Sequence, residues 1–276
     1  MTTLKKGLAI SELSKAGRGR SRLRILAYHA VADLATDPML AEYGVPPPLF
    51  AAQIDDLAAH DWEFVSLDAV LAAFDGGEPL PRRALLLTFD DAYADLLEVA
   101  CPLLRDRGIA AVVFAVADRV GATNLWDQAK GAGALELLDA PGLLAVAELG
   151  VEVGSHTATH RSLPKADSGE VAAELAGSAA TLESLGLPRP RSFSYPYGGA
   201  DDRLAEAVRE AGYEIAFTTA WGDPAAAQRH LVPRVEVHAS DTPTKLRLKL
   251  AAAAWPRLAR DGFLTLAGVR LNPSSR

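Results

Sequence analysis

The stretch Leu85-Leu86-Leu87-Thr88-Phe89 is apolar almost throughout and stops abruptly at two carboxylates, Asp90 and Asp91. A strand buried on both faces of a parallel sheet reads as such a run. Including this one, taken as Ala84–Phe89, eight short runs are strand candidates. The others are Arg24–Tyr28, Glu63–Ser66, Ala110–Val116, Val151–Ser155, Ser192–Tyr195, Ile215–Thr218 and Leu231–Val237. Longer Ala-, Leu- and Glu-rich stretches lie between them. Helical spacing of Phe50, Ile54 and Leu57 predicts a helix over Phe50–His60, and further helices are predicted over Tyr93–Arg107, Gly169–Leu185 and Asp201–Ala211. The last two end near Gly186 and Gly212, as C-caps would place them. This alternation is that of βα units. Eight strands with connecting helices over about 215 residues predict an α/β protein, a distorted parallel (β/α) barrel in a single domain. An open doubly wound sheet is the alternative.

Charge is segregated along the chain. Residues 1–24 carry seven Lys/Arg against Glu12, and residues 244–276 carry seven against Asp261. The net charge is −7, so removing two ends of +6 each leaves −19 on residues 25–243. An acidic body argues against a nucleic-acid enzyme, which would present a basic stripe; uncharged substrates are indifferent to it. Residues 1–23 read as a basic leader without the apolar segment of a secretory signal. Residues 24–240 form the main domain, and residues 241–276 a basic helical extension. Pro46-Pro47-Pro48 reads as a stiff loop inside the domain. Cys101 is the only cysteine, so an internal disulfide is impossible, and a reducing compartment such as the cytoplasm is expected.

Three constellations carry chemistry. In a parallel barrel catalytic groups sit at the C-terminal ends of strands, where Asp90 and Asp91 fall. An Asp pair there can also simply cap the next helix. Gly154-Ser155-His156-Thr157-Ala158-Thr159-His160 follows another strand candidate, and two imidazoles four residues apart can meet one ion from a helical turn or tight loop; a solvated pair is the plainer reading. One Asp and two His make a three-ligand set with an open position, as in a catalytic zinc site, and leave the other Asp free as a general base on water. Ser192-Phe193-Ser194-Tyr195-Pro196-Tyr197-Gly198-Gly199 comes third. Pro196 has no N–H, so the Tyr197 amide is the natural donor to an oxyanion, and the glycines would let a substrate approach closely. As an isolated motif this is a plain turn.

In order and spacing, Thr88-Phe89-Asp90-Asp91, His156-Thr157-Ala158-Thr159-His160 and Tyr195-Pro196-Tyr197-Gly198 resemble the polysaccharide deacetylases of carbohydrate esterase family four. Leu26-Ala27-Tyr28-His29, Pro79-Leu80-Pro81 and Arg107-Gly108-Ile109-Ala110 extend the similarity, which covers Arg24 to His238. The resemblance implies a barrel of about seven strands that hydrolyses acetyl groups on N-acetylated sugars. It implies Asp90 as base, Asp91, His156 and His160 as ligands of zinc or a similar divalent ion, and the Tyr197 amide as oxyanion donor. Tyr195, Pro196 and Trp126 are expected at the substrate; Trp126 and Trp221 can each also be packed aromatics. Two positions depart from the pattern. Ala92 stands where the family has Gly, and Ser194 where it has an Arg that orients the base; Arg191, Arg234 or another cation would have to supply that charge.

The general acid for the leaving amine is expected to be a histidine at a strand end, either His29 or His238. The resemblance to the poly-N-acetylglucosamine deacetylase subset, with a Tyr-His pair on the first strand, favours His29, and Ala239 replaces the Asp that follows the late His elsewhere. A weakened glycan-binding barrel and an amidohydrolase for a small non-sugar amide are the alternative functions. Finally, Leu246-Arg247-Leu248-Lys249-Leu250 and Trp255-Pro256-Arg257-Leu258 mix cations with apolar residues, as segments in peripheral contact with an anionic membrane do. The plainer reading is a terminal helix packed on the barrel.

Overall fold

The computed structural model of the chain describes residues 22–255 and 257–269. Nearly all of the basic leader therefore lies outside the described residues, as does Pro256. Nine strands form one parallel sheet: β1 (Arg22–Tyr28), β2 (Glu63–Phe64), β3 (Arg83–Phe89), β4 (Ala111–Ala115), β5 (Val151–Ser155), β6 (Ser192–Ser194), β7 (Ile215–Thr218), β8 (Val232–Pro233) and β9 (Val235–Glu236). Their order is β8-β7-β6-β5-β4-β3-β1-β9, with β2 paired only to β3.

The two ends of this path are joined by a single residue, Arg234. The expected strand Leu231–Val237 is split there: Val232 pairs with Phe217 of β7, and Val235 pairs with Leu26 of β1. The sheet thus wraps back to its own first strand. Counted as two halves of one strand, β8 and β9 leave seven positions around a barrel, the number that the resemblance implies. The strand expected over Glu63–Ser66 is only two residues long. Its last residue leaves the sheet because the Ser66 hydroxyl accepts the Ala69 N–H and caps the next helix.

The described helices are α1 (Pro47–Ala59), α2 (Leu67–Phe74), α3 (Cys101–Asp106), α4 (Leu125–Gln128), α5 (Ala140–Glu148), α6 (Ser168–Ser184), α7 (Asp202–Glu210), α8 (Pro243–Ala252) and α9 (Arg257–Leu266). The helix expected over Tyr93–Arg107 is interrupted. Leu96–Ala100 forms a π-turn ahead of α3, where Pro102 has no N–H for the regular ladder. Helices α6 and α7 end before Gly186 and Gly212, both left-handed as C-caps require.

Side chains of β3 alternate between two apolar clusters. Leu85, Leu87 and Phe89 pack outward beneath the helices. Ala84 and Leu86 share the barrel interior with Ile25, Phe114, Phe217 and Val232, where Leu67, Val70 and Leu71 of α2 join them. The same parity carries inward through Thr88 to Asp90, so the interior changes from apolar to polar at the end where the strands finish.

The basic segment 246–250 lies in α8, which packs on α1. Leu246 and Leu250 are buried, Lys249 is buried against Asp241 at 2.5 Å, and Arg247 pairs with Asp56. This is the plainer of the two readings, a helix packed on the barrel. Among the described residues no helix is long and apolar enough to cross a membrane.

Candidate active site

Adjacent residues on a strand point to opposite faces, yet Asp90 and Asp91 both reach one cleft. The backbone does this with two left-handed residues, Asp91 (φ 72°) and Ala92 (φ 57°), directly after β3. A non-glycine residue in that region costs about 1–2 kcal/mol. Ala92 therefore meets the demand that Gly meets elsewhere, with its Cβ buried. The His156–His160 segment is a loop rather than a helical turn, with Thr157 (φ 66°) and His160 (φ 65°) left-handed. Glu174 of α6 pins it, accepting the Thr159 N–H at 2.9 Å and the Thr159 hydroxyl at 2.6 Å. Nothing local in the sequence marks Glu174, which sits within an ordinary helix.

Asp91, His156 and His160 converge, their ligating atoms lying within 4.8 Å of one another. The Nε2 atoms of His156 and His160 are 3.5 and 3.1 Å from Asp91 Oδ1. His156 Nδ1 lies 2.8 Å from the Ser194 carbonyl, which can only accept, so this nitrogen carries the proton. Burial pushes the His156 imidazole down to about 4, so the ring is neutral and its Nε2 presents a lone pair. Asp91 Oδ1 is buried with no donor in hydrogen-bond geometry. Lone pairs facing one another without a donor fit a cation, and a carboxylate with two imidazoles suits zinc or a similar divalent ion.

Asp90 is held differently. Arg234, fully buried at the barrel seam, donates from its two terminal nitrogens to Asp90 Oδ1 and Oδ2, each at 2.8 Å. The same guanidinium donates to the Thr88 hydroxyl at 2.9 Å and the Ser194 hydroxyl at 2.8 Å. The motif Arg missing at Ser194 thus has its counterpart in Arg234, with Ser194 as one of its acceptors. Arg191 is elsewhere, paired with Glu152 and Asp68 ahead of β6. Burial would raise the Asp90 carboxyl, but Arg234 outweighs it and keeps the group well below the usual range.

His29 lines the cleft with Asp90 and Asp91, and its buried Nδ1 has no hydrogen-bond partner among the described residues. His238 does not line the cleft. It is buried beside Asp241 and Lys249, separated from His29 by the Tyr43 ring. Trp126 stacks on His160 with ring centroids 4.2 Å apart and lines the cleft. Two residues expected at the substrate do not line the cleft. Tyr195 and Pro196 are buried away from the cleft, the Tyr195 ring among Phe193 and Tyr213 with its hydroxyl on the His230 carbonyl. Inward parity at the end of β6 takes Ser194 to Arg234 and turns Tyr195 to the helices. Trp221 packs under Arg260 instead of facing the cleft. Gly198 lines the cleft, and its backbone demands glycine: φ is 72°, and a Cβ would stand 1.9 Å from Thr219 Oγ1.

Asp95, unmarked in the sequence, accepts the Val31 N–H at 2.5 Å and so anchors the loop leaving His29. Burial pushes its carboxyl up to about 6. A carboxyl raised in the folded state contributes stability below its unfolded value and loses it as pH rises through about 6. Asp95→Asn, which keeps an acceptor for Val31, should therefore stabilise the protein by about 1–2 kcal/mol at pH 7, after discounting for partial exposure, and leave it unchanged near pH 4. Urea midpoints at the two pH values test this; equal shifts at both would refute it.

A sequence model of the family described as polysaccharide deacetylase matches residues 77–216. The chain is 26% identical over 212 residues to the putative polysaccharide deacetylase YxkH of Bacillus subtilis, covering 76% of this chain and 67% of that protein. It is 28% identical over 188 residues to the poly-β-1,6-N-acetyl-D-glucosamine N-deacetylase of Staphylococcus epidermidis, covering 65% of this chain but 62% of that one, less than two thirds of its length. IcaB from Ammonifex degensii superposes with a TM-score of 0.70 at 26% identity, over 84% of this chain and 96% of that structure. The Streptococcus pyogenes deacetylase PplD superposes at 0.69 and 22% identity, over 84% of this chain and 99% of that one, a likeness of fold.

Proposed function

The chain belongs to the polysaccharide deacetylase family, and from that premise we propose that it is a metal-dependent hydrolase removing acetyl from N-acetylated glucosamine units of a glycan. The observation that carries this is the donor-free Asp91 Oδ1 between two imidazole nitrogens, beside a second carboxylate clamped by a buried guanidinium. Asp91, His156 and His160 would hold a divalent ion. When bound, such an ion polarises the acetyl carbonyl and makes water more acidic.

The chain's own residues supply the rest. Asp90, kept ionised and in one orientation by Arg234, takes the proton of the water whose oxygen adds to the acetyl carbon. The Tyr197 amide donates to the carbonyl oxygen as it gains charge. The C–N bond then breaks, His29 delivers a proton to the departing nitrogen, and acetate and a free amine result. Trp126, held against His160, offers a sugar ring its face. The glucosamine preference rests on the named substrate of the Staphylococcus epidermidis relative.

Acetate release from β-1,6- and β-1,4-linked N-acetylglucosamine oligomers is the test. Release should vanish after chelation and return with zinc. A full rate in chelator, or none in zinc-loaded protein, would reject the proposal. His29→Ala should abolish release in folded, metal-loaded protein. If His238→Ala alone abolished it, the acid would have to be reassigned.

A further inference from the structure

The two imidazoles of the Asp91–His156–His160 cluster are held from behind in different ways. The Nδ1 atom of His156 meets a backbone carbonyl, that of Ser194, which no side-chain change removes. The Nδ1 atom of His160 instead lies 3.2 Å from the hydroxyl of Tyr197, a side chain 45% exposed at the cleft. The Tyr197 ring stands edge-on to His160, with centroids 4.8 Å apart, while Trp126 stacks on the imidazole's face. Lys130 fixes the phenol in place: its ammonium is 3.2 Å from the hydroxyl and 4.6 Å from the ring centre, and it also pairs with Asp127.

From this arrangement we propose that the Tyr197 phenol is a positioning residue that orients His160 as a metal ligand, separately from any part played by its backbone amide. The inference rests on the metal-dependent reading above. An imidazole that ligates through Nε2 carries its proton on Nδ1 and needs an acceptor there, and loss of such an outer partner typically weakens metal binding about 10–100-fold. Tyr197 is also left-handed, at φ 61°. This strained residue places its phenol at the site, and the phenol's anchor, Lys130, belongs to the cleft rim just beyond α4. Its consequence is that one ligand is set by the rim of the cleft and the other by the barrel sheet.

The test is zinc affinity, measured by chelator competition, in wild type, Tyr197→Phe and Tyr195→Phe. The first substitution removes the hydroxyl while keeping ring and amide. The second removes a buried phenol that serves the core, at the His230 carbonyl. Tyr197→Phe should bind zinc about 10–100-fold more weakly and shift the visible absorption of the cobalt-substituted protein, with the urea midpoint of the metal-free protein unchanged. Tyr195→Phe should lose stability and keep its affinity and its cobalt spectrum. Wild-type affinity and spectrum in Tyr197→Phe would overturn the inference and leave the metal-dependent reading standing. Failure of wild type to bind zinc at all would overturn that reading, and this inference with it.

Discussion

Arg234→Met is expected to cost about 3–5 kcal/mol of stability, because it leaves the buried Asp90 carboxylate without its counter-charge. In the native protein the guanidinium makes paired bonds to Asp90 and single bonds to Thr88 and Ser194, all inside the barrel. Methionine fills similar volume but supplies none of these donors. Activity should fall at least about 100-fold at neutral pH, the scale set by misplacing a reacting group by an ångström. The pH dependence adds a sharper signature. Burial favours the protonated Asp90 carboxyl, and Arg234 is the main force opposing it. Without Arg234 that carboxyl rises, so the variant's residual activity should climb with pH through a range where wild type is flat. Guanidinium at the other motif position offers a rescue: Ser194→Arg in an Arg234→Ser background should recover part of the lost rate. Denaturant unfolding and acetate-release pH profiles measure both effects. An Arg234→Met protein with wild-type rate and profile would mean that Asp90 needs no cation.

The second large effect expected is a separation of roles between neighbouring carboxylates. Asp90→Asn should keep its metal and lose about 10²–10⁴-fold in rate, the range for removing a general base. Asp91→Asn should fail to hold metal, since it removes the charged ligand between the two imidazoles. Metal content of the purified, zinc-loaded proteins distinguishes the two without reference to rate. Should Asp90→Asn be the one that comes out empty, the assignments exchange. The backbone argues for the assignment given: Asp90 continues the inward parity of β3 toward Arg234, whereas left-handed Asp91 swings out of it toward His156 and His160.

Much of this is legible in the sequence, and for a local reason. Apolar runs that end in Asp90-Asp91 or at His156 report burial and strand ends directly, because strand period and parallel burial are properties of a few consecutive residues. The barrel and the convergence of Asp91, His156 and His160 follow from such signals. Helix ends at Gly186 and Gly212 were equally readable, since a left-handed C-cap is a one-residue demand. The interruption of the helix at Leu96–Ala100 was less so: Pro102 marks it, but how far a ladder widens depends on what packs around it.

Local pattern alone sets which residue types stand at the ends of which strands, and therefore the site's ligand set and its general base as candidates. Their partners are set by closure of the fold. Arg234 is 144 residues from Asp90 and meets it because the last strand breaks at that residue, one half on β7 and the other on β1. Tyr195 and Tyr197 are two residues apart, yet one serves the core and the other the cleft, because the chain turns left-handed at Tyr197. Lys249, read as a cation near a surface, is buried on Asp241 once α8 docks. Each of these depends on closure of the sheet and docking of elements distant in the chain. Burial and pairing are properties of that assembly, so short-range pattern carries the chemistry of a position but not its opposite number.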